Sequence, residues 1–229
     1  MAIFGKKNPL QRSYDAVADE YAKRIYTELD DKPADRELLD NFAEALQGSG
    51  PCVELGCGPG HVTRYLAERG LDISGIDSSK KMVKKARKLN PGIKFSTGDM
   101  RQLDVEDNHW AAIVSFYSII HTPLAELMPA LLEFHRVLEP GGALLLAFHM
   151  DAETYHLDQW WDQEVDLDFY FYRPLHMLMN LQEAGFQQVE IICRPPYPEI
   201  ESQTQRCYIL AEALPGIPPA RRSSSAALP

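Results

Sequence analysis

Positive charge is in short supply in this chain. Lys and Arg number 23 against 33 Asp and Glu, a formal net charge of −10 over 229 residues. Nucleic-acid-binding faces are normally basic, so no nucleic-acid partner is expected. Long apolar runs are missing too: none reaches the ~18 residues of a membrane span, so no membrane partner is expected. Residues 1–7 carry two lysines with no long apolar region behind them. That is not a signal peptide, and a cytoplasmic location is expected. Cysteine is scarce. Cys52, Cys57, Cys193 and Cys207 form no C-x-x-C pair and show no metal-ligand spacing, so neither a disulfide framework nor a metal is expected. The length fits one domain with decorations, able to bury its core without staples.

What is present centres on Cys52-Val-Glu54-Leu-Gly56-Cys57-Gly58-Pro-Gly60. An apolar run leads into three glycines at alternate positions, and a helical pattern follows from His61. This predicts a strand, a tight turn and a helix. A dinucleotide-binding turn needs G-x-G-x-x-G, and His61 stands where its third glycine belongs. A nicotinamide oxidoreductase is thereby disfavoured.

Periodicity places a helix over 9–29, a second over 35–46, and others over 61–68, 80–89, 124–138 and 174–184. Strands are predicted at 52–55, 71–76, 93–97, 111–116 and 143–149, with a closing pair at 189–193 and 206–211. The helix over 80–89 carries six Lys and Arg; a solvated face is favoured over an anion or RNA patch. Alternating strands and helices imply a doubly wound parallel sheet. A single domain over 1–213 is expected, with a helical cap at 9–48, an insertion at 151–173 and a disordered tail at 214–229.

With Glu54 ahead of it, the glycine stretch resembles the E/D-x-G-x-G-x-G signature of class I S-adenosylmethionine (SAM)-dependent methyltransferases. Tyr14-Asp-Ala-Val-Ala-Asp-Glu-Tyr21 resembles the Y-D-x-x-A-x-x-Y element that closes over the cofactor in many small-molecule members. Leu138-Glu-Pro-Gly-Gly142 is also typical of the family. The resemblance implies a Rossmann-like seven-stranded sheet in order 3-2-1-4-5-7-6, strand 7 antiparallel, with N-terminal helices. It implies SAM as cofactor, S-adenosylhomocysteine as product, and no metal. Cofactor-binding positions expected from it are Tyr14, Tyr21, Glu54, Gly56, Cys57, Gly58, Gly60, Asp77, Ser78, Asp99, Met100 and Phe116. Asp77 follows Glu54 by 23 positions and Asp99 follows Asp77 by 22. The resemblance gives the first to the ribose hydroxyls and the second to adenine. Either could instead be a turn aspartate at a strand end.

A sulfonium methyl is already activated, so transfer needs mainly positioning. Where the acceptor must lose a proton, His121 is the candidate base, with a rate expected to fall below pH 6–7. Packing is its rival role. No N/D-P-P-Y/F run follows strand four, so a small-molecule acceptor is expected over RNA or protein. A SAM-binding regulator without catalysis remains a third reading. Residues 151–172 hold seven acids and seven aromatics. They are read as a cap over the acceptor pocket, with Trp160 and Trp161 as walls and His149 and Tyr172 in the pocket. Such a cap favours neutral or cationic acceptors. A dimer contact through the same aromatics is the alternative, so the chain is read as monomer or homodimer.

Overall fold

In a computed structural model describing residues 8–150 and 152–215, the chain opens with α1 (Pro9–Ile25) and α2 (Pro33–Ala45), joined by a 3-10 turn at Glu28–Asp31. β1 (Cys52–Leu55), α3 (His61–Ala67), β2 (Ile73–Asp77), α4 (Lys80–Leu89), β3 (Phe95–Thr97) and β4 (Trp110–Phe116) follow. Then come α5 (Leu124–Val137), β5 (Leu138–Met150), β6 (Tyr155–Trp160), β7 (Gln163–Phe169), α6 (Pro174–Glu183), β8 (Phe186–Arg194) and β9 (Gln205–Ala213). The main sheet runs β3-β2-β1-β4-β5-β9-β8, with β9 antiparallel to both neighbours. Counting its seven strands alone, this is 3-2-1-4-5-7-6; the labels shift because β6 and β7 pair as a separate hairpin.

Helix starts follow local chemistry. The Asn8 side chain accepts from Leu10 N–H ahead of Pro9 in α1, and Ser79 Oγ accepts from Met82 N–H to cap α4. Every residue of β1 and β4 is buried, as a central parallel strand covered on both faces must be. β5 begins five residues earlier than periodicity suggests. Trp110 pairs with Leu138, the register then shifts, and Ala112 pairs with Ala143. Gly141, at φ 81°, absorbs the extra residues. The lysine-rich α4 lies along α1, where Lys85 pairs with Asp19.

The sequence expectation of a disordered tail concerns mostly 216–229, outside the described residues; Leu214 itself donates its N–H to Gly185 O.

The segment 155–169 is a hairpin turning on Trp161 and Asp162, at φ 49° and 60°. Two left-handed residues make the turn whose twist suits a two-residue hairpin. Trp161 holds that conformation by stacking on Trp160 at 4.5 Å and meeting the Tyr21 ring edge-on at 6.1 Å. Val165 and Leu167 pack with Val17 of α1.

A buried ion cluster ties the N-terminal helices to the far end of the sheet. Asp35, fully buried, accepts from Tyr208 Oη (2.9 Å) and Arg194 Nη2 (2.5 Å). Arg194 also donates to both oxygens of Glu201, and Glu201 pairs with Lys32 at 3.2 Å. Removing one partner strands the others in low dielectric. Asp35→Ala should therefore destabilise the fold by about 3–5 kcal/mol in denaturant titration, with Asp35→Asn much milder. Equal stability of Asp35→Ala and wild type would show the cluster to be solvated.

Candidate functional site

The carboxyl ends of β1, β2, β3 and β4 open on one cavity of about 350 Å³, where a doubly wound sheet places its ligand. Tyr14, Tyr21, Glu54, Gly56, Cys57, Gly58, Asp77, Ser78, Asp99, Met100, Phe116 and His121 all line it.

The turn after β1 is shaped by its glycines. At Gly56, φ is 75° and a Cβ would fall 2.2 Å from Ser118 Cβ. Ser118 Oγ donates to Leu55 O at 2.6 Å and locks β4 against the turn. Gly58 has φ 52°, and its N–H donates to Asp77 Oδ2 at 2.8 Å. Asp77 Oδ1 accepts from Ser79 N–H at 2.7 Å. Each Asp77 oxygen thus keeps a lone pair for a ligand. Burial pushes its carboxyl up to about 6, although those two N–H groups oppose the shift. Glu54 accepts from Thr63 Oγ1. Burial pushes it up to about 7, against the nearby His61.

Asp99 reaches the cavity with its carboxylate already engaged. Arg101 Nε donates to Oδ1 (3.0 Å) and Nη2 to Oδ2 (2.7 Å), which holds Asp99 below the usual carboxylate range. Arg101 also binds Glu126 at the rim.

His121 lies between Tyr14 and Asp168. Its Nδ1 is 2.8 Å from Asp168 O, a carbonyl that only accepts, so Nδ1 carries the ring proton. Nε2 then accepts from Tyr14 Oη at 2.6 Å. Burial pushes the imidazole down to about 4, with the Asp168 carbonyl opposing. The ring is neutral at physiological pH, contrary to the unperturbed value assumed from sequence.

Five expected site residues lie elsewhere. Gly60 faces the protein: a Cβ there would come 2.7 Å from Asn90 Nδ2 and Phe95 Cζ, so it serves packing beneath the turn. His149 Nδ1 pairs with Thr204 Oγ1 at 2.9 Å, and the ring tilts against Tyr117. Burial, with Arg206 and Lys32 nearby, pushes it down to about 3. Tyr172 is buried and donates to Ile119 O and Thr122 O from the core. Trp160 and Trp161 meet Tyr14 and Tyr21 edge-on from behind. They buttress α1 and do not wall the cavity. From the same hairpin it is Asp166 and Asp168 that reach the cavity, with Tyr170 just beyond it.

Sequence reasoning passed over Glu28, Tyr117, Arg101 and Glu126, all in the lining. Only Tyr117 follows a recognisable signal, the end of strand four; its φ of 53° is a conformation that non-glycine residues rarely hold. Ser13, Tyr14 and Asp15 fix α1 over the cavity. Ser13 Oγ accepts from Asp166 N–H at 2.8 Å, and Asp15 Oδ1 accepts from Ser79 Oγ (2.7 Å) and Lys81 N–H (3.0 Å).

Among the described residues no helix is long and apolar enough to cross a membrane. The family model described as a methyltransferase domain matches residues 52–142. An uncharacterized methyltransferase of Geobacillus kaustophilus is 31% identical over 145 residues, spanning 58% of this chain and 67% of that protein. A malonyl-[acyl-carrier protein] O-methyltransferase of Pectobacterium atrosepticum is 28% identical over 138 residues, or 54% of this chain. The match spans about half of that relative's length, 53%. The solved DhpI–SAH complex has a TM-score of 0.70 over 94% of this chain and 100% of the other, at 19% identity, a likeness of fold.

Proposed function

The chain belongs to the class I SAM-dependent methyltransferases, and from that premise we propose that it methylates a small neutral or cationic acceptor. One observation carries the acceptor class: the charge of the cavity's rim. Glu126, Asp166 and Asp168 line it. The one arginine of the described lining, Arg101, is taken up by Asp99 and Glu126. That is one positive charge shared by two carboxylates, so the lining stays net acidic and an anionic acceptor would enter a partly desolvated cleft against it. That weighs against a malonyl-type acid, the substrate named for the Pectobacterium relative.

The cavity suits the cofactor. Gly56 and Gly58 hold the left-handed backbone that carries the turn along the cavity, and Asp77 has lone pairs left for two hydroxyl donors. Asp77 would hold the ribose. Met100 and the remaining capacity of Asp99 would meet the adenine, and Tyr14, Tyr21 and Phe116 would border the sulfonium arm. When bound, SAM supplies an activated methyl group. The chain's own contribution is to exclude water with α1, orient the acceptor and take its proton. An acceptor X–H that donates to Tyr14 Oη lets Tyr14 pass its own proton to His121 Nε2. Two protons shift, the acceptor's to Tyr14 Oη and Tyr14's to His121 Nε2, for a net transfer of one proton to the imidazole, and Asp168 O steadies the ring that receives it.

The test is a screen of neutral, cationic and anionic metabolites that reads S-adenosylhomocysteine production. Turnover of an amine or neutral hydroxyl compound supports the reading; turnover of carboxylic or phosphorylated acceptors alone would overturn it. Radiolabelled SAM incorporated into bulk RNA or protein would favour a macromolecular acceptor. Tight SAM binding with no product from any class would mean a regulator.

The tryptophans acquire a different expected role. Trp160→Ala/Trp161→Ala should loosen α1 and weaken SAM binding several-fold in calorimetry. A raised acceptor KM with SAM affinity unchanged would restore them as pocket walls. A change from dimer to monomer in light scattering would make them an interface.

A further inference from the structure

β8 is the outermost strand of the main sheet, beside β9. Cys193 lies on β8 and is exposed; Cys207 lies on β9 and is fully buried. Their spacing along the chain makes no motif, but the register sets them directly opposite each other. Opposed residues of an antiparallel pair project from the same face. Both thiols therefore stand on the face that carries the core cluster of Phe148, Tyr172 and Ile209.

The backbone decides how close they come. Tyr117 N–H donates to Ala147 O, so residue 147 turns its backbone groups towards β4. Successive residues of a strand face opposite edges, so Phe148 turns its own towards β9. Phe148 opposes Cys207, and the backbone groups of Cys207 are thus spent on β5. Leu214 N–H, an odd number of residues further along, donates to Gly185 O at the start of β8, as that alternation requires. Cys193 and Cys207 are therefore a non-hydrogen-bonded pair. In such a pair the Cα atoms stand roughly 4.5 Å apart and the side chains are at their closest. That lies inside the Cα range of about 4.4–6.8 Å that a disulfide spans. Cys52 and Cys57 offer no rival partner for Cys193. β4, β5 and β9 separate β1 from β8, four strand spacings or roughly 19 Å.

We propose that Cys193 and Cys207 form a reversible redox site, which a small disulfide such as glutathione disulfide converts to a cross-strand disulfide. The exposed thiol reacts first. Cys193 Sγ, as thiolate, attacks one sulfur of glutathione disulfide; that S–S bond breaks, and one glutathione leaves as the mixed disulfide forms. Cys207 Sγ gives up its proton and attacks Cys193 Sγ, and the second glutathione leaves and is protonated. Two protein thiols are oxidised and one glutathione disulfide is reduced to two glutathiones. The link closes the loop 194–206. Arg194, next to Cys193, and Arg206, next to Cys207, both hold Glu201, and Arg194 also holds Asp35 of α2. The disulfide therefore spans the neck of the buried ion cluster and restricts the unfolded chain there.

The test equilibrates the full-length chain with glutathione disulfide and glutathione over a range of ratios, without denaturant. Remaining thiols are then alkylated and the digest is mapped by mass spectrometry. Wild type should lose two hydrogen atoms and yield one linked peptide pair, Cys193 with Cys207, which dithiothreitol separates again. Oxidised wild type should unfold at a higher urea concentration than reduced wild type. Cys193→Ser alters only the exposed thiol; it should form no link, and its urea midpoint should be the same with and without glutathione disulfide. A glutathione adduct that persists on Cys193 would make it a solitary surface thiol and overturn the proposal. So would a Cys193 link between two chains, a link that forms only in denaturant, or no link at any ratio.

Discussion

Asp77→Ala should weaken SAM binding about a hundredfold or more in calorimetry, with the fold retained by circular dichroism. Two hydrogen bonds to a charged acceptor are removed, each worth about 1.5–3 kcal/mol, and about 1.4 kcal/mol is a factor of ten. The structure adds a second loss: Gly58 N–H and Ser79 N–H both rest on this carboxylate, so the turn and the start of α4 lose their shared anchor. The pH dependence has a defined sign. The carboxyl is pushed up to about 6 in the free protein, and ribose hydroxyls are best accepted by its ionised form. SAM affinity should fall as pH drops below about 6. The free protein behaves in the opposite sense at this group. Between about pH 4 and 6 the native carboxyl binds a proton more readily than the unfolded one, so its contribution to stability diminishes as pH rises through that window. Affinity unchanged by Asp77→Ala would remove the residue from the site.

His121→Ala should lower turnover by about a hundredfold, within the range for loss of a positioned base, and leave SAM affinity nearly unaltered. The acid limb of the rate profile should lie near pH 4, where the buried ring takes a proton, well below the 6–7 expected of a free imidazole. Its linkage to stability runs with pH: the unfolded histidine binds a proton between about 4 and 6.5 where the native one does not, so stability rises across that window. Tyr14→Phe separates the two parts of the relay. A turnover loss approaching that of His121→Ala places the hydroxyl in the proton path. Full turnover in Tyr14→Phe would mean that Tyr14 only covers Nε2. An early-melting His121→Ala with normal turnover per folded molecule would reduce the histidine to packing.

How much of this was legible beforehand depended on the range of the interaction. Glu54, the glycines, Asp77 and Asp99 mark strand ends within βαβ units, where sequence spacing is spatial spacing, and all but Gly60 reach the cavity. Gly60 was misplaced because its conformation is local but the atoms it must clear, on Asn90 and Phe95, are not. Alternation over Leu167 to Tyr172 points to an edge strand or a hairpin in the 151–172 segment, but not to its turn, which is Trp161-Asp162, with no glycine or asparagine to announce two left-handed residues. Its aromatics were recognised as too costly for open solvent, but which surface would cover them is tertiary information: α1 does. His149 and Tyr172 sit close along the chain to cavity residues, yet point to Thr204 and to the turn after β4. The pairing of Glu28 with His61 crosses from a 3-10 turn to a different helix and leaves no periodic trace.

The three consecutive residues Ser13, Tyr14 and Asp15 grip the hairpin, the loop after β4 and the start of α4 at once. A ligand that enters beneath α1 is therefore enclosed by a wall with three separate fastenings, and the same wall must lift before the spent cofactor departs. Release then requires contacts at the hairpin, the loop after β4 and the start of α4 to open together. A burst of S-adenosylhomocysteine in the first turnover would show that opening of this wall, and not the chemical step, sets the throughput of the wild-type enzyme.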